Sequence, residues 1–144
     1  MLFLKSGSDA NTRMHTNDTN KKRTEIVHPK ESYVLTGIFY GIQNRLGRFC
    51  REKQYGDELE KELKLKNINY AREFTLKDLG NKVEGNIVDF IIDGKILVDL
   101  KAKKFITKED YYQMLRYLDS SGLKLGLIVN FSSTYLKPKR IINL

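Results

Sequence analysis

Two short apolar runs, Ile87–Ile92 and Ile96–Leu100, flank an Asp93-Gly94 pair, and this stretch constrains the chain more than any other. β-Branched and aliphatic residues on both sides of Asp-Gly predict a β-hairpin. Charge lies inside it: Asp89 in the first run, Asp99 in the second and Lys101 just beyond. An unpaired charge in a buried strand is costly, so these side chains need partners or a ligand. Alternation along a strand puts Asp99 and Lys101 on one face and Leu100 on the other. A two-residue loop would oppose Asp89 to Val98 and separate the aspartates, whereas a three-residue loop containing Gly94 puts both on one face. The three-residue loop is expected. Two carboxylates and an ammonium on one patch suit a hard cation such as Mg²⁺, which takes oxygen ligands and keeps several waters. The same residues also allow an Asp89–Lys101 ion pair at a sheet end, or an ordinary hairpin with one solvated face.

The chain of 144 residues, 40% of them hydrophobic, is long enough for one domain with its own core. A net charge of +8 favours a polyanionic partner, because clustered Lys and Arg displace counterions from phosphates. Charge alone does not separate DNA from RNA or from a membrane surface. The single cysteine, Cys50, excludes an intrachain disulfide, a Cys-rich zinc site and an iron–sulfur cluster held by the chain's own thiolates, and fits a reducing cytoplasm. The opening Met-Leu-Phe-Leu is too short for a signal-peptide core, and no apolar run approaches a membrane span. A soluble cytoplasmic protein with no membrane partner is expected.

Residues Lys5–Glu31 hold few apolar side chains, so 1–32 read as a flexible N-terminal arm, with the domain running from 33 to 144. Lys21-Lys22-Arg23 in that arm could touch phosphate, though so short a basic run in a tail is more often only solvated, and His15 and His28 have no ligand-spaced companions. From Ser32 to a stop at Gly47 the pattern is helical, with Val34, Ile38, Ile42 and Leu46 on one stripe beside Leu35 and Phe39. Gly37 and Gly41 inside it suggest close packing against another element. A second helix runs from Glu52 or Tyr55 to about Lys66, carrying Tyr55, Leu59 and Leu63 on one stripe. A strand is expected over Tyr70–Leu76 and a polar loop over 77–85.

After the hairpin, whose exit carries Lys101, Lys103 and Lys104, a third helix is expected over Lys108–Ser120. Thr107 is its N-cap, with Asp110 close to a capping box. Tyr111, Met114, Leu115 and Leu118 form its expected buried face, with Gln113 and Tyr117 sharing another edge. Gly122 ends it, and Leu123–Phe131 reads as a strand buried on both faces. Lys137, Lys139 and Arg140 then precede Ile141-Ile142, as a last strand with phosphate contacts or as a basic sheet edge. A helix between the third and fourth strands makes the fourth parallel to a neighbour. The order gives an α/β fold, an α/β/α sandwich around a central mixed sheet of about four strands.

Taken together, Gly47, Glu52-x-x-Tyr55, Glu73, Asp89, Asp99-Leu100-Lys101-Ala102, Gln113-x-x-x-Tyr117, Gly126–Phe131 and Lys139-Arg140-Ile141 resemble the GxxExxY protein family of the PD-(D/E)XK nuclease superfamily. The resemblance covers about Val34 to the C-terminus. It implies a restriction-endonuclease-like core and a metal-dependent nuclease acting on nucleic acid, with DNA the expected form. It further implies Mg²⁺ or Mn²⁺ held by Asp89, Asp99, the Leu100 carbonyl and Glu52, directly or through water. Lys101 would position the attacking water or stabilise developing charge, and Gln113 would orient substrate. Tyr117, Lys103, Lys104 and Arg140 would contact substrate. The chain departs from the family in having Asp99 where Glu is commoner, and Phe49 where a second glycine often follows Gly47.

Two other classes fit less of this pattern. A non-catalytic module on the same fold would bind nucleic acid or a protein without cutting, since fold does not imply activity. A structural or regulatory homodimer would present an exposed apolar patch and bind no metal. The compact chain shows no obvious specificity domain, so a homodimer or an unknown protein partner is also expected.

Overall fold

The computed structural model describes residues 27–76 and 87–144. The chain enters through α1 (Pro29–Leu46), α2 (Glu52–Leu65) and β1 (Tyr70–Thr75), continues through β2 (Ile87–Ile92), β3 (Ile96–Lys101) and α3 (Lys108–Ser121), and finishes with β4 (Leu125–Asn130) and β5 (Lys139–Ile142). One sheet takes all five strands in the order β1-β2-β3-β4-β5. Only β3 and β4 are parallel, joined by the α3 crossover, and the other neighbours are antiparallel. The sheet is thus mixed, and the C-terminal basic segment supplies a fifth strand.

The helices cover both sheet faces. On one side, Leu35, Ile38, Phe39 and Ile42 of α1 and Tyr55, Leu59 and Leu63 of α2 pack on Phe90, Ile92, Val98, Leu127 and Val129. On the other, Met114, Tyr117 and Leu118 of α3 pack on Val88, Ile91, Leu97, Ile128 and Ile141. Each such buried aliphatic or aromatic side chain contributes about 1.5–3 kcal/mol relative to exposure, so both layers are needed to hold the sheet. The result is an α/β/α sandwich.

Several expectations shift. α1 starts at Pro29, inside the stretch assigned to the arm, because Pro suits the first helical turn and tertiary contacts hold it there. Glu31 pairs with Lys95 at 2.9 Å, and Arg140 donates to Ser32 Oγ and to the Val27 carbonyl. His28 precedes that helix as a half-buried N-cap in a left-handed conformation. Residues 1–26, with His15 and Lys21-Lys22-Arg23, and the expected loop after β1 lie outside the described residues.

The apolar stripe of α1 is centred on Leu35, Ile38, Phe39 and Ile42, leaving Val34 45% exposed. Among the described residues nothing approaches Gly37 and only the Arg45 side chain approaches Gly41, so neither glycine marks a contact with another described helix. The close approaches are at Gly56, beside the Arg72 guanidinium, and at Gly126, under the Met114 thioether. On α3, Tyr117 is buried and Tyr111 is exposed, the reverse of the expected faces, because the sheet contact is centred on Met114 and Leu118. No helix among the described residues is long and apolar enough to cross a membrane.

Candidate active site

The hairpin register fixes the site. Ile92 pairs with Ile96, Ile91 with Leu97 and Phe90 with Val98, leaving a three-residue loop, Asp93-Gly94-Lys95. Asp93 and Gly94 take the left-handed conformation such a tight turn requires, at φ 55° and 68°. The next position in that register sets Asp89 opposite Asp99, on one face.

The backbone ladder between β2 and β3 ends at Phe90–Val98. Beyond it, Asp89 Oδ2 accepts the Leu100 N–H at 2.6 Å, so a side chain takes over where the strands part. On the other flank, Arg72–Phe90 and Phe74–Val88 bracket Glu73, whose φ of 52° is unusual for a non-glycine residue in a strand. A cavity of about 470 Å³ opens at this point, lined by Glu52, Lys53, Gly56, Arg72, Glu73, Asp89, Phe90 and Leu100. Its Arg72 wall is anchored to α2 by Asp57 at 2.7 Å and Glu60 at 3.0 Å.

Asp99 is buried, at 7% exposure, and Lys101 Nζ lies 2.9 Å from its Oδ2. Lys101 therefore pairs with Asp99 and not with Asp89, and neither the sheet-end pair nor a solvated hairpin face describes the arrangement. Burial pushes the Asp89 carboxyl up to about 7, reinforced by its hydrogen bond to Asp99 and by the Asp99 charge, while the Leu100 N–H opposes and the Glu52 charge adds to the rise. Burial pulls the Lys101 ammonium down, but the hydrogen bond to Asp99 and the charges of Asp99, Asp110 and Glu52 outweigh it and hold it above the ordinary lysine value.

Asp110 does more than its capping position implies. It caps α3 as expected, with Oδ2 accepting Thr107 N–H at 2.8 Å. The same buried carboxylate also pairs with Lys103 and lies 3.7 Å from Lys101, so α3 holds both lysines. Its capping position was legible, whereas its contact across the crossover had no sequence signal. Asn130 was missed too. Its carboxamide accepts the Lys103 and Ser132 N–H groups and donates to the Lys103 carbonyl at 2.8 Å, clamping the segment after Lys101; a lone amide closing an apolar run was the available hint.

Not every proposed site residue joins the cluster. Glu52 is exposed at the start of α2, lines the cavity with Asp89 and Leu100, and its charge reaches Asp89 and Lys101. Gln113 is half-buried on α3 and makes no side-chain hydrogen bond among the described residues. Tyr117 is buried, its hydroxyl pushed up by burial and by the nearby Asp99 charge. Lys104 is exposed, next to Lys103. Arg140 lies elsewhere: it pairs with Leu127, which pairs with Val98, so it faces the side of the sheet opposite Asp99, two strands from β3. Its guanidinium ties β5 to the start of α1.

Asp89 and Asp99 make an oxygen donor set suited to a hard cation. They are crowded, partly desolvated carboxylates whose repulsion a proton relieves in part and a divalent ion would relieve fully. Among the described residues no three His, Cys, Asp or Glu side chains are already placed to hold a metal, so Glu52 does not complete a preformed triad.

The model of one family, the PD-(D/E)XK nuclease superfamily, matches residues 29–141, from the first residue of α1 to within one residue of the end of β5. No curated protein and no solved structure matches the chain. A match of that extent, across a hairpin whose aspartates meet where its strands part, makes this chain a member of the PD-(D/E)XK nuclease superfamily.

Proposed function

We propose that the protein is a metal-dependent nuclease that hydrolyses phosphodiester bonds in nucleic acid, with DNA as the expected substrate. The observation that carries this reading is the Asp89–Asp99 carboxylate pair with Lys101 on Asp99, Asp89 itself lining the open cavity. Asp89, Asp99, the Leu100 carbonyl and Glu52 would hold Mg²⁺ or Mn²⁺. When bound, the ion supplies an activated water and neutralises charge on the phosphorane-like transition state and the leaving alkoxide.

The chain's own residues do the rest. Lys101 stays protonated and acts as a fixed positive charge, orienting the attacking water or stabilising the charge that develops on the phosphate. Gln113, whose amide makes no hydrogen bond among the described residues, orients the scissile phosphate. Lys103 and Lys104 meet the backbone of the nucleic acid beyond the cleft. The narrower likeness to the GxxExxY family belongs to this reading. It is supported by Tyr55, whose hydroxyl donates to the Gly47 carbonyl and accepts the Cys50 N–H, closing the loop ahead of Glu52. The lone thiol of Cys50 agrees with residence in a reducing cytoplasm.

A second reading, nucleic-acid binding without cleavage, draws on one observation: among the described residues the acidic side chains are not already gathered into a three-residue metal site. Cleavage of labelled DNA and RNA by the wild type and by Asp99→Asn, in Mg²⁺ and in Mn²⁺, separates the two. Metal-dependent cutting lost in Asp99→Asn supports the nuclease. Wild type that binds but never cuts overturns it.

A further inference from the structure

Three loops meet at the end of the sheet that carries Asp99 and Lys101, and each presents an aromatic ring to solvent. Because β3 and β4 are parallel, the segments leaving them, 102–107 and 131–138, emerge at the same end. Phe131 N–H donates to the Lys101 carbonyl at 2.9 Å, and Asn130 clamps Lys103, so the two segments are stitched together. The end of α1 and the loop after it join them: Gln43 Nε2 of α1 donates to the Phe131 and Ser133 carbonyls, and Arg48 Nε of the loop to the Ser132 carbonyl.

Phe49 on the first loop is 90% exposed, Phe105 on the second 69% and Tyr135 on the third 89%. Single exposed apolar residues need no explanation, but three large rings on adjoining loops at one end of the sheet do. Two of them stand beside a cation, and a third cation lies close by in sequence to the other. The Arg48 guanidinium lies 5.1 Å from the Phe49 ring centroid, Lys104 Nζ lies 5.8 Å from that of Phe105, and exposed Lys137 follows Tyr135 by two residues. Rings with open faces stack on nucleobases, while neighbouring cations take the phosphates between them. In a duplex the base faces are already covered by their neighbours, so a ring of this kind reaches only an unpaired base.

We infer that this surface grips single-stranded nucleic acid, with Phe49, Phe105 and Tyr135 stacking unpaired bases and Arg48, Lys104 and Lys137 tracking the backbone into the Asp89–Asp99 cleft. The inference names the substrate class of the proposed nuclease and rests on that reading for its functional meaning, but not for the binding itself.

Binding is measured by fluorescence anisotropy on the full chain in excess chelator, so that cleavage plays no part. The probes are a labelled single strand of about 16 nucleotides, as DNA and as RNA, and a blunt DNA duplex of equal length. The wild type is expected to prefer the single strand. The variants Phe49→Ala, Phe105→Ala and Tyr135→Ala should each weaken it by on the order of tenfold while leaving the duplex nearly unchanged. A 2-aminopurine base in the strand should be quenched on binding wild type and not on binding the triple variant. Circular dichroism and the melting temperature should be unaltered, since all three rings are exposed. Whether the DNA or the RNA strand binds tighter identifies the sugar. Equal affinity for duplex and single strand, or variants that bind like wild type, would overturn the inference, as would loss of self-association as the only change in the variants. Strand preference without any cleavage in Mg²⁺ or Mn²⁺ would leave this surface standing and remove the nuclease reading; cleavage without strand preference would do the reverse.

Discussion

Asp89 Oδ2 accepts the backbone N–H of Leu100 at 2.6 Å, so a carboxylate stands in for the ladder hydrogen bond at the point where β2 leaves β3. The bond holds Asp89 beside Asp99, where burial and the Asp99 carboxylate, against the Leu100 N–H, set the pH behaviour of the metal-free protein. Asp89 titrates near 7 when folded, against 3.8 for an unperturbed aspartate, so the folded state binds the extra proton between those values. Its contribution to stability is complete below the lower value and is lost as pH rises through about 7. In chelator, Asp89→Asn should therefore flatten the stability curve and exceed the wild type at about pH 8, by chemical denaturation. Parallel curves for the two proteins would contradict this.

Asp110 works in the opposite direction. Burial raises its carboxyl, but the hydrogen bonds from Lys103 and from Thr107 and the Lys101 charge outweigh burial and hold it below the ordinary carboxylate value. Its stabilisation is present above an unfolded value of 3.8 and is lost as pH falls below that. Asp110→Asn should cost about 1–2 kcal/mol near neutrality, and the difference from wild type should vanish in acid, as read from denaturation midpoints across pH.

Tyr55 is the keystone of the loop that delivers Glu52. Its ring stacks on Phe131 at 4.3 Å, and its hydroxyl bridges Gly47 and Cys50. Tyr55→Phe keeps the stack and strands the loop's polar groups, so it should destabilise by about 1–2 kcal/mol and speed amide exchange at Cys50. Unchanged exchange at that amide would count against the role assigned to the hydroxyl.

Gly126 lies on β4 directly beneath the Met114 thioether, where any Cβ would overlap sulfur. Gly126→Ala should cost about 1–3 kcal/mol in denaturant unfolding, through forced displacement of α3 from the sheet. A variant as stable as wild type would mean that Met114 repacks freely.

Local chemistry made much of this legible. The Asp93-Gly94 pair marked the hairpin but allowed two registers, and the three-residue loop, the expected one, put Asp89 and Asp99 on one face. Thr107, Asp110 and Gly122 announced both ends of α3, and an unbroken apolar run announced the buried parallel strand β4. What stayed hidden depends on which strands become neighbours. Arg140 looked like a phosphate ligand because it is basic and near the C-terminus, but the strand order sends it to the opposite face, against Ser32. The Lys101–Asp110 and Lys103–Asp110 contacts join residues on either side of the α3 entry, a relation no periodicity encodes. The start of α1 at Pro29 was obscured because its support comes from Lys95 and Arg140, far along the chain.

The most direct test of the central claim is calorimetric titration of Mg²⁺ and of Mn²⁺ into wild type and into the Asp89→Ala/Asp99→Ala double variant, with cleavage of labelled single-stranded, duplex and branched DNA followed in the same samples. The account predicts saturable cation binding and cutting by the wild type, both lost in the double variant, which stays folded. Nucleic-acid binding by a wild type that takes up no cation and cuts nothing would contradict it.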